Sequence, residues 1–302
     1  YLKLSKNVGN EVQLKNLTSL LSDLFVDALI KLDDDIKEYL NNSGISTIFI
    51  DHYDLISNID DVTRMVYNLK LTEEEMIFNY GEILIGLCCF LYYTTNEIIA
   101  YLNLHNTSNA YDDHLAKYSK LLDSHKDKWI HSFIVLKKQN DIIPLVNKYD
   151  DFQSLSALLE SKREIIQNLY NTQEISDIEF ANLSADIEIE FDEYFDQYEY
   201  TFAKSLFLHY IHCNKIDILL TCFEKHSDLL DKFLSSDIKY YDFAWIQDIK
   251  LQRFDSVSND MSLYLSERLN NPIKAKKIQT SIAKLATLCG TQDDELRCTR
   301  LK

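Results

Sequence analysis

Apolar residues recur at three- and four-residue intervals along most of this chain, the spacing that lines side chains along one face of an α-helix. From Glu11 to Leu40, Val12, Leu14, Leu17, Leu20, Leu21, Leu24, Ala28, Ile36 and Leu40 draw an amphipathic helix, closed by Asn41-Asn42-Ser43-Gly44. Ile45 to Leu71 is less regular, and its β-branched run Ile45 to Ile50 would suit an isolated strand. Thr72 and Glu75 form a capping box that opens a helix running on through Cys88-Cys89. Ala110 to Lys138 predicts one long helix carrying Trp129 and Phe133. Pro144 lies near the start of the next pattern, Ile142 to Tyr149, where a missing amide donor does little harm. After Asp150-Asp151 the period resumes over Phe152 to Tyr170.

Asn171 to Ala203 holds no Lys or Arg, while acidic residues from Glu174 to Glu199 accumulate; the stretch reads as a solvated face that could also receive a basic partner. Further helical patterns follow over Tyr198 to Cys213, Ile216 to Leu234, and Tyr240 to Leu269, the last with a break near Gln252. Pro272 begins one more, in which Ile278, Ile282, Leu285, Ala286 and Cys289 mark the apolar side. Short joints favour antiparallel neighbours. The expected fold is therefore all-α, an elongated irregular α-solenoid of stacked antiparallel helices forming one continuous segment over 1–302, with a sub-boundary near 106–110.

Composition narrows the alternatives. With only 5 Gly and 2 Pro, hairpin-rich and dinucleotide-binding folds lack the residues their turns need. A net charge of −17 repels phosphate backbones and anionic bilayers, so neither nucleic acid nor a membrane surface is an expected partner. The uncharged run Ile83 to Asn96 is shorter than the roughly 20 apolar residues a membrane crossing needs, and reads as a buried core helix. No C-x-x-C pair occurs among the six cysteines, which read as free thiols of a reducing compartment. Tyr1 is not an initiator, so the chain reads as a piece of a longer one.

Two constellations could carry chemistry. Asp34-Asp35-Ile36-Lys37-Glu38 matches the D-D-x-x-E motif of all-α terpene-synthase type enzymes, and Asn259, Asp260 and Glu267 half match the second metal motif. Such carboxylates on facing helices would hold Mg²⁺ against a diphosphate. Leu263 stands where a hydroxyl ligand is needed, however, and the bland reading is a solvated helix face. His209, His212 and Cys213 on one helix, with Cys222 and His226 on the next, have the residue types of a zinc site. Their apolar neighbours Phe207, Leu208, Tyr210 and Ile211 favour packing instead. Nucleophile elbows, phosphate loops and the metalloprotease helix motif are missing from the sequence, and neither a cofactor nor a catalytic residue is expected.

One resemblance is carried by residues rather than by composition. Tyr194-Phe195, Tyr198, Phe202-Ala203-Lys204-Ser205-Leu206-Phe207 and Tyr210-Ile211 lead to Leu229-Leu230 and Phe233-Leu234, then to Phe243-Ala244-Trp245-Ile246-Gln247-Asp248-Ile249. After Phe254 and Ser258 comes a basic helix with Lys276-Lys277 and Ser281-Ile282-Ala283-Lys284-Leu285-Ala286. This wording resembles the α-helical domain of the scaffold nucleoporin at the tail of the Y complex, the nucleoporin one hundred and thirty-three family of fungal type. Trp129 to Leu159 is similar too, so the resemblance covers roughly Trp129 to Cys289. His209 stands where that family has a tryptophan, Cys213-Asn214 replaces a glycine-bearing turn, and Val257 replaces an alanine.

The resemblance implies a structural scaffold subunit of the nuclear pore complex at the nuclear envelope. It would support pore assembly, and through it transport of mRNA and protein, by packing alone. In that family a β-propeller precedes the solenoid and extreme C-terminal helices contact the adjacent scaffold nucleoporin of the Y stem; both are expected to lie outside this chain. Phe243, Trp245 and Ile249 would then be buried between helical layers. The alternatives are a non-pore α-solenoid adaptor, a coat or tethering component, or the Mg²⁺-dependent diphosphate enzyme.

Overall fold

The computed structural model describes residues 50–67, 73–105, 111–267 and 273–290. Among them the structure is all-α, with no strand. Its helices are α1 (Tyr53–Tyr67), α2 (Glu73–His105), α3 (Asp112–Val135), α4 (Gln139–Lys148), α5 (Phe152–Asn171), α6 (Asp177–His212), α7 (Ile216–Thr221), α8 (Ser227–Leu234), α9 (Tyr241–Lys250), α10 (Phe254–Glu267) and α11 (Ile273–Gly290). The chain divides into two compact units, Tyr1–Phe180 and Ala181–Lys302. The helix predicted over Glu11 to Leu40, Thr72 of the capping box and the sub-boundary near 106–110 lie outside the described residues.

In the first unit α2 is the central element, packed against both α1 and α3. Leu84, Leu87, Cys88, Leu91, Tyr92, Ile98 and Leu102 are all wholly buried along it. Burying each such leucine or isoleucine contributes about 1.5–3 kcal/mol. The stretch Tyr80–His105 is long and apolar enough to cross a membrane by length and composition, but more than half of its most apolar window is buried inside the protein. Burial also pushes the thiols of Cys88 and Cys89 up to about 12, far from reactivity at neutral pH.

Two carboxylates join these helices. Asp60 of α1 is 1% exposed. It accepts a hydrogen bond from Trp129 Nε1 of α3 at 2.8 Å. It also lies 3.1 Å from Arg64 Nε, a charge pair without hydrogen-bond geometry, and 2.7 Å from His125 Nδ1. Asp151 caps the N-terminus of α5 through Ser154, accepting its amide at 3.3 Å and its hydroxyl at 2.7 Å. The same carboxylate takes Tyr92 Oη of α2 and Lys126 Nζ of α3, each at 3.0 Å. A buried charge persists only when it is paired and hydrogen-bonded in this way.

The second unit has an aromatic core. Phe207 meets Phe223 at 5.4 Å and Phe233 at 5.5 Å, Tyr210 meets Phe223 at 5.5 Å, and Phe233 meets Tyr240 at 4.5 Å between ring centroids. These contacts correct the single helix expected over Ile216 to Leu234. Phe223 leaves the helical path to reach the rings, ending α7 at Thr221, and the chain re-enters helix at Ser227 after a 3₁₀ turn over Glu224–His226.

Helices α10 and α11 meet along small residues. Ala283, Ala286, Val257 and Met261 are buried together, with Trp245, Phe254 and Ile282 packed against them. Ser258 Oγ and Thr287 Oγ1 share a hydrogen bond of 2.8 Å inside this seam. A Cβ on Gly290 would lie 2.9 Å from the backbone nitrogen of Asp255, so the close approach needs glycine there. The apolar side expected for α11 holds for Ile282 and Ala286, which pack in this seam, and is corrected for the other three. Ile278 and Leu285 are 62% and 61% exposed, and Cys289 is exposed too, because the alanine, threonine and glycine face allows the tighter packing.

One further region gains structure and two expectations change. The acidic stretch after Asn171 is helical from Asp177 onward, opened by a capping box in which Ser176 Oγ and Glu179 Oε2 lie 2.8 Å apart. Pro144 is not at the start of its helix but in the second turn of α4. It is tolerated because Asn140, whose carbonyl loses a partner there, is exposed to water. Ile50 belongs to a 3₁₀ turn, Ile50–His52, rather than to a strand.

Five of the described helix endings follow one pattern. Lys137, Asp150, Gln173, Asn214 and Gln252 all have positive φ, between 50° and 61°. After α3 the amide of Lys138 bonds Phe133 O and that of Lys137 bonds Ile134 O, the two bonds of a Schellman stop. The same pair recurs at Asp151 and Asp150 after α4, at Glu174 and Gln173 after α5, at Lys215 and Asn214 after α6, and at Arg253 and Gln252 after α9. The break expected near Gln252 is thus a left-handed stop. Inside α6, Glu199 (φ 45°, ψ −127°) kinks the helix in a region of backbone space that glycine enters far more readily.

Glycine relieves this strain without disturbing the fold. Gln173→Gly and Gln252→Gly are each expected to stabilise the protein by about 0.5–1 kcal/mol in urea unfolding. A loss of stability at either site would show that the side chain matters more than the backbone. Trp129→Phe, which removes a donor from buried Asp60, is expected to cost about 1–3 kcal/mol in the same assay.

Candidate functional site

The residues that could bear chemistry are distributed rather than convergent. Asp34, Asp35 and Glu38 lie outside the described residues. Of the second carboxylate motif, Asn259 is exposed on α10, the helix that also carries Asp260 and Glu267. The zinc candidates are corrected by their partners. His209 Nε2 lies 3.6 Å from Cys213 Sγ at the end of α6, whereas His226 turns to Asp192. His212 and Cys222 are exposed. No group of three His, Cys, Asp or Glu side chains among the described residues could hold a metal ion.

The strongest constellation ties the acidic helix to the turn before α8. Asp192 of α6 accepts from Lys225 Nζ at 2.6 Å and lies 3.0 Å from His226 Nε2. The His226 ring stacks on Phe195 at 4.0 Å with the planes 19° apart. Together with Glu188, Cys222 and Glu224 these groups line a cavity of about 230 Å³. Lys250 of α9 reaches Glu224 at 2.9 Å and donates to the carbonyl of Leu220 at 3.0 Å, closing the other side of the turn. The acidic run is therefore not bare: Lys225 and His226, from the turn before α8, cover it at Asp192.

Desolvation pushes the Asp192 carboxyl upward, but hydrogen bonds and charge from Lys225 and His226 outweigh it and hold the group below the ordinary carboxylate range. Glu179 and Glu224 are also held low, by bonds from Ser176 and Lys250 respectively. Chemically the Asp192–His226 pair is an orienting clasp. It fixes the imidazole plane against Phe195 and joins α6 to α8 through three residues.

The helix Phe243 to Ile249 packs as expected only in part: Phe243 and Trp245 are half-buried, whereas Ile249 is exposed. Ala244 and Gln247 are its buried residues, in line with buried Tyr240. Trp245 packs against the α10–α11 seam, but Ile246 and Ile249 are 36% and 39% exposed. A residue two positions from its neighbour on a helix cannot share its stripe, and the stripe that won is the one holding Ala244. The sequence signal for that choice was present: Tyr240, Ala244 and Gln247 sit at four- and three-residue steps.

The clasp carries a pH dependence of definite sign. Asp192 binds its proton less readily folded than unfolded, so its contribution is present above the unfolded value and is lost as pH falls through the lower folded one. Between about pH 5 and pH 2 the stability gap between the wild type and Asp192→Asn is expected to close. A gap that stays constant across that range in unfolding titrations would show that the pairs add nothing. Compared with models of known protein families, with curated proteins and with solved structures, the chain matches none of them.

Proposed function

We propose that this chain is a scaffold segment, an irregular α-solenoid of the kind found in the Y-complex tail nucleoporin family, working by shape rather than by catalysis. Within each unit most of the packing follows chain order: α1 with α2, α2 with α3, α3 with α4, α4 with α5, then α8 with α9, α9 with α10 and α10 with α11, while α3 also packs on α5. This neighbour-to-neighbour order supports the reading, because stacked helical repeats bury their cores in that way. On it, the chain serves at the nuclear envelope as part of the pore scaffold. It supports pore assembly and so mRNA and protein transport, and its partners are other scaffold nucleoporins. The exposed acidic residues of α6 are available for a basic partner.

Two measurements test the two halves of the proposal. A compact domain of this length has a radius of gyration of about 19 Å. Small-angle scattering of the purified chain is expected to give a value well above that, and one near it would sink the solenoid. The tagged protein is expected at the nuclear rim, co-purifying with pore scaffold subunits. A cytoplasmic, vesicle-associated signal would favour the coat or tether alternative.

A further inference from the structure

Two helices of the second unit carry opposite charge beside apolar faces that point to water. Helix α11 holds four lysines and no acidic residue. On its outer side Ile278 and Leu285, two turns apart, are both largely exposed. Lys277 and Lys284 stand next to them at the same seven-residue step, exposed and paired with no carboxylate among the described residues. Single exposed apolar residues are ordinary, but a repeated pair edged by charge is the pattern of a helix face that meets another helix.

Helix α6 presents the complement. It has no Lys or Arg before Lys204. Ala181, Ala185 and Ile189, each four residues from the last, are exposed along one side of it. Asp186 and Glu193 edge that stripe at a seven-residue step, exposed and likewise unpaired among the described residues. Lys225 and His226 close the stripe at Asp192. Seven residues of helix span about 10.5 Å, so the two acids and the two lysines have matching separations. Sizes match as well, because the alanines leave room where Ile278 and Leu285 project. Both faces are exposed in one structure, so neither covers the other within a single chain.

Like faces repel: two α11 faces would set lysine against lysine, and two α6 faces acid against acid. Unlike faces join each charge to its opposite. We propose that α11 of one copy docks its Ile278 and Leu285 face on the Ala181, Ala185 and Ile189 face of α6 in a second copy, with Lys277 and Lys284 against Asp186 and Glu193. The acidic stretch thereby finds its basic partner in the same chain. A two-fold pair makes this contact twice, and a head-to-tail array makes it once per copy. One helix pair falls below the roughly 1,200 Å² of a stable complex, so the association belongs to the weak class, with a midpoint near about 0.1 mM. The net charge of −17 opposes it at low salt, whereas at about 150 mM salt charges more than about 8 Å apart are largely screened. The contact does not depend on the nuclear pore reading.

The test is sedimentation velocity of the purified chain from about 10 μM to about 1 mM in about 150 mM salt. Its weight-average mass is expected to rise above that of one chain across this range. Lys277→Glu with Lys284→Glu should abolish the rise, and so should Asp186→Lys with Glu193→Lys. An equimolar mixture of these two double variants should associate as the wild type does, because each supplies the charges that the other lacks. Leu285→Ser should weaken association about tenfold. All five positions are exposed, so the variants should melt close to the wild type, which separates lost contact from lost folding. Phosphatidylserine vesicles serve as the competing probe for the lysine face of α11. A chain that stays monomeric to about 1 mM, a mixture of well-folded variants that fails to associate, or a monomeric chain whose vesicle binding needs Lys277 and Lys284 would overturn the proposal.

Discussion

Helices need residues that stop them, and a chain with 5 Gly and 2 Pro has few made for that purpose. The left-handed turn after a helix is nonetheless what allows the next helix to start within a few residues. Here it is made by Lys137, Asp150, Gln173, Asn214 and Gln252. Each gives up about 1–2 kcal/mol of backbone preference, and the two hydrogen bonds of the stop together with packing of the following helix must offset it. Short joints, and so the order in which helices meet, depend on this arrangement. If one stop relaxed, its helix would run on and the next would lose its register.

The carboxylates act on the same joints from the side. Asp151 follows directly on the left-handed Asp150, caps α5 and binds Tyr92 and Lys126, so a helix stop, a helix start and two neighbouring helices converge on one residue. Those bonds, after desolvation, push the Tyr92 hydroxyl far above its ordinary range and keep it a donor. In the second unit Asp192 has a comparable position between α6 and the turn before α8, but with more water around it. Polar joints and apolar helix faces thus divide the work: faces supply the driving force, and joints fix which helix follows which.

The helical content was legible in the sequence because three- and four-residue periodicity survives any arrangement. Asp112–Val135 falls inside the predicted Ala110 to Lys138, and the break near Gln252 is real. What failed was the choice of face. In α11 the bulky Ile278 and Leu285 looked like the core, yet Ala283, Ala286 and Gly290 pack closer and so face α10. Hydrophobicity ranks residues by size, whereas a close helix crossing selects them by smallness. The capping box at Ser176 and Glu179 was readable and was missed. The zinc reading failed because shared residue types say nothing of which partner each side chain finds first, and His226 found Asp192.

The sequence contains 2 Trp, and they fall one in each unit, Trp129 buried beside Asp60 and Trp245 half-buried on the α10–α11 seam. Their surroundings differ in polarity, so their emission will differ in colour and in access to quenchers. The molecule carries, in effect, a separate optical label for each half. Melting of one unit before the other is therefore open to being seen in light rather than inferred.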